Sequence, residues 1–461
     1  MKKLFVFLLL FSSLLSEGFA QDEAVFEKIY SNALTSDKAY KQLEVLCEKA
    51  PGRLIGTPNS FVAVDVMKSY LKKLGADTVF LQPFSSPAWI CRSASASMIV
   101  DEEEIPLRID ALGPSGSSPE KGITAQVIEV QSLDEVRALG KEKIAGKIVF
   151  YNRPMDPTSI NTFSAYGQAV DQRVFGPQLA LEMGALASIT RSVTNRNTDY
   201  PHTGSCRFKD KKIPAVAIST NDAEKLSAAL QKHPDLKLNI QVDAKDIVTH
   251  TYNLIADLKG SEKPDEYLVV GGHLDAWHNT PGAHDDGVGC LQATEVLRLF
   301  KELKLNNKRS IRVILYMDEE LYQSGGKAYA DYTRENKINN YFALESDAGG
   351  FTPDYFSVSD IALLHALQNY LPLFEAYGLN RIVYGGGGVD IGPLKEFDVP
   401  LAGYRPDGQR YFDMHHCAYD TFEQIHPREM QLGSAAMASL IYLIDTYDLA
   451  DKEVNSSSDL D

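Results

Sequence analysis

Cysteine is scarce in this 461-residue chain: Cys47, Cys91, Cys206, Cys290 and Cys417 are the whole complement, and none belongs to a CxxC pair. Disulfide stapling therefore does not hold the fold, and an odd count in an exported protein leaves at least one thiol free or paired between chains. Cys290 and Cys417 are expected to fill small apolar gaps rather than to bind metal. Basic residues occur in short, scattered runs in a chain of formal charge -16, which argues against nucleic acid as a partner. Past the first twenty residues there is no long uncharged apolar stretch, so no membrane association is expected once those residues are removed. The signals HExxH, GxSxG and a GKS/T phosphate loop are also missing, which removes the sequence basis for thermolysin-type, serine-hydrolase and nucleotide-cradling sites. Hydrophobic residues are not lacking: at 44% they suffice for a packed core, and only the tail reads as flexible.

Lys2 and Lys3, the run LFVFLLLFSSLL and the small-residue exit SEGFA predict a secretory signal peptide over residues 1–20, cleaved after Ala20. A signal anchor is the alternative, but the apolar run is short of a full membrane span. The mature protein is thus expected to be secreted or periplasmic.

Local patterning gives the organisation. Two helices are expected within 23–50, the second after Ser36 as N-cap, and another from about Phe61 to Leu74. Thr78 to Phe84 reads as a strand, and DEEE at 101–104 as a solvated loop. From about Gly122 to Val242 the texture changes to short strands and helices, which predicts an inserted second domain with a structural or substrate-shaping role. The boundaries follow as 21–117 for the first part of the main domain, 118–245 for the insert, 246–448 for the rest of the main domain and 449–461 for a tail. After Thr249 a strand, a glycine turn and a helix recur, first EYLVVGG with a helix from Val288 to Leu303, then SIRVILY with GGKAYADYTREN, then YFALES. This repetition predicts an α/β fold with a mostly parallel twisted sheet flanked by helices, because parallel strands need crossovers of this size.

Ligand sites in such sheets open at the carboxyl ends of the strands. GGHLDAWHNTPGAHDDGVG packs two His-and-Asp groups into residues 271–289, directly after a strand. His273 and Asp275 sit two apart and would point the same way on an extended segment; Asp285 follows in a glycine-bracketed turn. Asp318, Glu319 and Glu320 interrupt a second strand, where like charges repel unless cations neutralise them. Asp347 follows a third strand, and His415 and His416, with Asp420 soon after, complete the set. Carboxylates and imidazoles gathered from several strand ends suit divalent cations.

These motifs resemble the aminopeptidase and glutamate carboxypeptidase superfamily of co-catalytic zinc exopeptidases, nearest to its plasma glutamate carboxypeptidase, or carboxypeptidase Q, branch. The likeness runs over nearly the whole mature chain, from CEKAPGRLIGTPNS onward, through GGHLDAW, GAHDDGVG, MDEE, ESDAG and HHCAYDT. It implies a zinc exopeptidase (phosphorylase/hydrolase-like) fold whose insert is a β-rich protease-associated domain. It also implies two zinc ions, with His273, Asp285, Glu320, Asp347 and His416 as ligands, Asp285 bridging, Glu319 as general base and Asp275 orienting the His273 imidazole. His416 is preferred to His415 because it stands four residues before Asp420; Cys417 departs from the usual Ser or Thr. Two divalent cations against three ligating carboxylates leave about one positive charge to activate a water and polarise a carbonyl. The expected substrates are small peptides with free ends, with dipeptidase, aminopeptidase and carboxypeptidase action all open and a homodimer also open. By the same resemblance YGGGGVDIGP, residues 384–393, lines the substrate pocket, with Tyr411 and the RPDGQR loop as further candidates. Two rival classes share the scaffold: a single-zinc glutaminyl-peptide cyclase, and a receptor-like binding protein that has lost its ligands.

Overall fold

The computed structural model describes residues 19–451. The expected signal peptide lies outside the described residues except for 19 and 20, which begin a helix over 19–34, and the chain beyond 451 also lies outside them. Leu449 and Ala450, assigned to a tail from the sequence, are instead buried, and the Ala450 amide donates to the Tyr341 hydroxyl at 3.0 Å.

Fourteen strands form one hydrogen-bonded network. They are β1 (Thr78–Val100), β2 (Glu103–Leu107), β3 (Ile109–Ala111), β4 (Ile123–Val130), β5 (Ile148–Tyr151), β6 (Ala187–Arg191), β7 (Ala215–Ile218), β8 (Lys237–Leu258), β9 (Lys263–His273), β10 (Arg309–Tyr316), β11 (Asn339–Ser346), β12 (Pro353–Val358), β13 (Arg381–Tyr384) and β14 (Leu401–Pro406). In the main body the order runs β13-β12-β14-β11-β9-β10-β8. The central strands β14, β11, β9 and β10 are mutually parallel, since the helices Val288–Leu303 and Ser324–Asn336 carry the chain back between them. Toward the flanks β8 pairs antiparallel with β10, and β12 with β14, so the sheet is parallel at its centre and mixed overall. Leu268 and Val270 of β9 pack with the helices Val288–Leu303 and Pro427–Thr446, whereas Val269 joins Ile314 and Tyr329 on the opposite face. Apolar side chains on both faces explain why β9 reads as a continuous rather than an alternating apolar run.

The second lobe grows out of this sheet without a linker. β1 and β8 pair antiparallel from Thr78–Asp257 to Ile99–Lys237, and the far half of β8 also pairs with β4. Beyond it β4, β5, β6 and β7 run parallel. The helix Leu133–Ile144 connects β4 to β5 and the helix Thr220–Lys232, capped by Ser219, connects β7 to β8, so the lobe is mixed α/β rather than β-rich. Trp89, Ala96, Met98, Leu107 and Ala111 already pack in its core, so the lobe begins inside β1, well before residue 118, and ends inside β8. The boundary was hidden because a continuous antiparallel ladder has no change of texture. The acidic run 101–104 is a turn followed by the start of β2, and the reading of it as solvated holds: all four residues are exposed. The helix expected from Phe61 starts earlier, at Pro58, because the Thr57 side chain caps it by accepting from the Ser60 amide. The helix expected after Ser36 spans Lys38–Lys49 with Asp37 at its N-cap.

Candidate metal centre

The parallel strands end where the chemistry begins. His273 is the last residue of β9, Glu319 and Glu320 follow β10, and Asp347 follows β11. The buried His273 ring turns Nε2 toward Asp285 Oδ1 at 3.1 Å and Asp347 Oδ1 at 3.5 Å. On the other side of the same carboxylate, Asp285 Oδ2 lies 3.3 Å from His416 Nε2, which is 3.2 Å from Glu320 Oε2. Asp285 thus faces one set of ligand atoms with each oxygen. His415, set aside in the sequence reading, also reaches this place: its ring stacks on His416 at 3.5 Å and its Nε2 is 3.9 Å from Asp285 Oδ2.

Supporting hydrogen bonds fix these positions. The Asp275 carboxylate accepts from the amides of Asp318 at 2.9 Å, Glu319 at 3.2 Å and Glu320 at 3.4 Å. The nearest acceptor to His273 Nδ1 is the Asp275 carbonyl at 3.1 Å, with the carboxylate at 3.6 Å. Asp275 therefore steadies the imidazole chiefly through its backbone and the acidic turn through its side chain. Asp420 accepts from the amides of His284 at 2.6 Å and Asp285 at 3.1 Å, so it holds the turn that carries Asp285. Asp286 accepts from the His273 amide at 3.1 Å. Buried Arg53 donates from Nε to the Leu274 carbonyl at 2.5 Å and from Nη2 to the Gly282 carbonyl at 2.8 Å, bracing the loop between the first two ligand candidates. Cys417 Sγ donates to the Met414 carbonyl at 3.2 Å, a bond internal to its own turn. All five cysteines are free thiols, and Cys290 and Cys417 are buried.

Electrostatics shows why cations fit. Burial, followed by the charges of Asp347, Asp275 and Asp285, pushes the Glu319 carboxyl well above the usual carboxylate range; burial and Asp285 do the same for Glu320. Burial drives the His415 imidazole down to about 3 and His416 well below its ordinary value, leaving both neutral, the form that ligates metal. Although burial opposes it, the carboxylates of Asp275, Asp285 and Asp347 raise His273 well above its usual range. Asp285 Oδ2 and Glu320 Oε1 are buried without a hydrogen-bond partner, and an orphaned buried carboxylate oxygen is costly unless a cation or donor meets it. His273, Asp285 and Asp347 form one group, and Asp285, His415 and His416 another, each with ligand atoms within 4.8 Å of one another. This donor set of imidazoles and carboxylates suits zinc.

Comparison with known proteins agrees with this arrangement. The profile of peptidase family M28 matches residues 253–441. Carboxypeptidase Q of Bos taurus is 32% identical over 421 residues, spanning 90% of this chain and 86% of that protein. The chain belongs to peptidase family M28. It is a metallo-exopeptidase. A peptidase M28 precursor from Shewanella amazonensis superposes with a TM-score of 0.88 at 30% identity, over 94% of this chain and 98% of that one. A zinc aminopeptidase from Bacillus subtilis shares the fold at a TM-score of 0.64 and 20% identity, over 88% and 94% of the two chains.

In this M28 chain a cavity of about 570 Å³ opens over the ligand candidates. Asp285, Glu319, Asp347 and His416 line one side; Phe163, Tyr166, Arg173 and Arg207 of the second lobe line another. Tyr411 is on the wall, its ring stacked on Phe163 at 5.3 Å. The glycine run 384–393 does not line this cavity. It packs behind the acidic strand end, where Glu345 accepts from the amides of Val389 and Ile391, each at 2.9 Å. A Cβ on Gly388 would come within 2.0 Å of the Glu345 carboxylate, so glycine there admits a buried acid rather than a peptide. Arg405, Gly408 and Gln409 of the RPDGQR loop line a separate hollow of about 640 Å³ that shares Phe163 with the main cavity.

Proposed function

We propose that the chain is a secreted exopeptidase of short peptides with free ends, acting as a dipeptidase, aminopeptidase or carboxypeptidase through two zinc ions. His273, Asp347 and Asp285 would hold one ion, and Asp285, Glu320 and His416 the other, with Asp285 shared between them. When bound, the pair supplies positive charge that acidifies a water near neutral pH and polarises the scissile carbonyl. Glu319 would take the water's proton and pass it to the leaving amine, as a general base placed beside the ligand candidates can. Asp275 keeps Glu319 in place through its bonds to the amides of residues 318–320. The second lobe, read as a protease-associated module, shapes the substrate space through Phe163 and Tyr166.

The observation that carries this reading is Asp285: its two oxygens face two different imidazoles, at 3.1 and 3.3 Å, which is how a bridging carboxylate is disposed. It also sets the reading apart from a single-zinc cyclase, and the filled ligand positions set it apart from a receptor that has lost them. Among the described residues no helix is long and apolar enough to cross a membrane. The test is incubation of zinc-loaded protein with dipeptides, N-blocked peptides and C-amidated peptides. Hydrolysis of unblocked dipeptides is expected; cleavage only at internal bonds of long peptides would refute it, as would ammonia release from N-terminal glutamine without hydrolysis.

A further inference from the structure

Buried arginines in this protein are matched by acids, with two exceptions. Arg298 pairs with Glu295, Arg309 with Glu266 and Asp445, and Arg312 with Asp257. Arg53 pairs with no acid, but backbone carbonyls take its Nε, Nη1 and Nη2. Arg173 differs from all of these. It is 5% exposed, lines the cavity, and no carboxylate among the described residues pairs with it. Nη1 donates to the Thr203 carbonyl at 3.3 Å and Nη2 to the Tyr166 hydroxyl at 2.7 Å, both neutral acceptors. Nε is buried with no partner at all. Burying a guanidinium without a counter-charge is costly, so a role in packing alone does not account for it.

Its position is as informative as its isolation. The Tyr166 ring that Arg173 bonds meets His415 edge-on at 5.2 Å, and His415 stacks on the ligand candidate His416 at 3.5 Å. Only two side chains thus separate the cation from the proposed metal centre. Gly204, at a φ of +144°, lies so close that a Cβ there would be 2.4 Å from the guanidinium carbon, so the backbone is shaped to admit this group. The cavity is therefore bipolar, with carboxylates and imidazoles on the main body and a fixed cation among Phe163 and Tyr166 on the second lobe.

We propose that Arg173 binds the free α-carboxylate of the residue on the leaving side of the scissile bond, making the second lobe the reader of the peptide's C-terminus. The inference rests on the exopeptidase reading and sharpens it: the substrate class is the dipeptide, or the short peptide cut at its last bond. A guanidinium suits this work because its planar donors match a carboxylate.

The test compares zinc-loaded wild type with Arg173→Met and Arg173→Lys on alanyl-phenylalanine and on its C-terminal amide. Wild type is expected to prefer the free acid by about 100-fold in kcat/KM, the scale set by removing one partner of a buried charge pair. Arg173→Met should lose about that preference, with kcat/KM falling far more on the free acid than on the amide, and Arg173→Lys should recover part of it. Equal cleavage of acid and amide by wild type would overturn the proposal, as would an equal fall on both substrates in Arg173→Met, the mark of a packing role. If wild type cleaves neither peptide, the exopeptidase reading fails on its own, and calorimetry with free phenylalanine still decides about Arg173: weaker binding in Arg173→Met supports the carboxylate site, and unchanged binding overturns it.

Discussion

The two sides of the cavity are built in different ways. On the main body, His273, Glu320 and Asp347 lie at or just past the carboxyl ends of consecutive parallel strands, and carboxylates nearby in the fold hold several of the site groups: Asp275 under Glu319 and Glu320, Asp420 under Asp285, Asp286 under His273. On the second lobe, Phe163, Tyr166 and Arg173 come from short helices with little acidic support. The first side is a fixed anionic cradle suited to cations; the second is an aromatic and cationic wall suited to part of a substrate. On the proposed function, chemistry and selection fall to separate structural units, joined by the long β1–β8 ladder.

Substitutions can break that division of labour. The largest effect is expected for Glu319→Gln: kcat should fall about 1000-fold, within the range of lost general-base catalysis, while zinc content measured by atomic emission stays at the wild-type value. Full turnover in this variant would place the base elsewhere. Next, Asp420→Ala should weaken zinc affinity about 10- to 100-fold, the usual cost of losing an outer partner of a metal site, as read by competition with a chromophoric chelator. An unchanged affinity would show that the turn carrying Asp285 holds itself.

A smaller effect should appear where the two lobes touch. His278 Nε2 lies 2.8 Å from Asp110 Oδ1 of β3; although burial opposes it, the Asp110 charge raises the imidazole to about 10. A raised folded-state value means that the pair's contribution is fully present below the unfolded-state value, about 6.5, and is lost as pH rises through about 10. Asp110→Asn should therefore cost about 2 kcal/mol in urea unfolding at pH 7, below the few kcal/mol expected for a fully buried pair, and the gap from wild type should close toward pH 10. A gap that stays constant with pH would assign the loss to packing instead.

The same contrast explains what the sequence revealed. The convergence of these carboxylates and imidazoles was legible because most of them sit in short motifs just past apolar runs, where strand ends in a parallel sheet must converge. The helix Val288–Leu303 was read with its observed ends, since three-and-four spacing is a local signal. Arg53, Asp286 and Arg173 gave no such signal: each acts on residues distant in sequence or on a turn whose conformation only the fold defines. His415 was set aside on spacing, yet stacking on His416 places it at the centre. The glycine run was assigned to the pocket by likeness, whereas Glu345 of β11 takes two of its amides. The extent of β1 and the start of the second lobe were hidden for another reason, since pairing between residues 78–99 and 237–257 is wholly non-local.

The central claim is that Asp285 serves two cations at once, and metal stoichiometry tests it most directly. Wild-type protein, dialysed after zinc loading, is expected to retain two zinc ions per chain, and Asp285→Ala to retain fewer than one, with folding checked by circular dichroism. A wild type holding a single zinc that Asp285→Ala leaves in place would contradict the account.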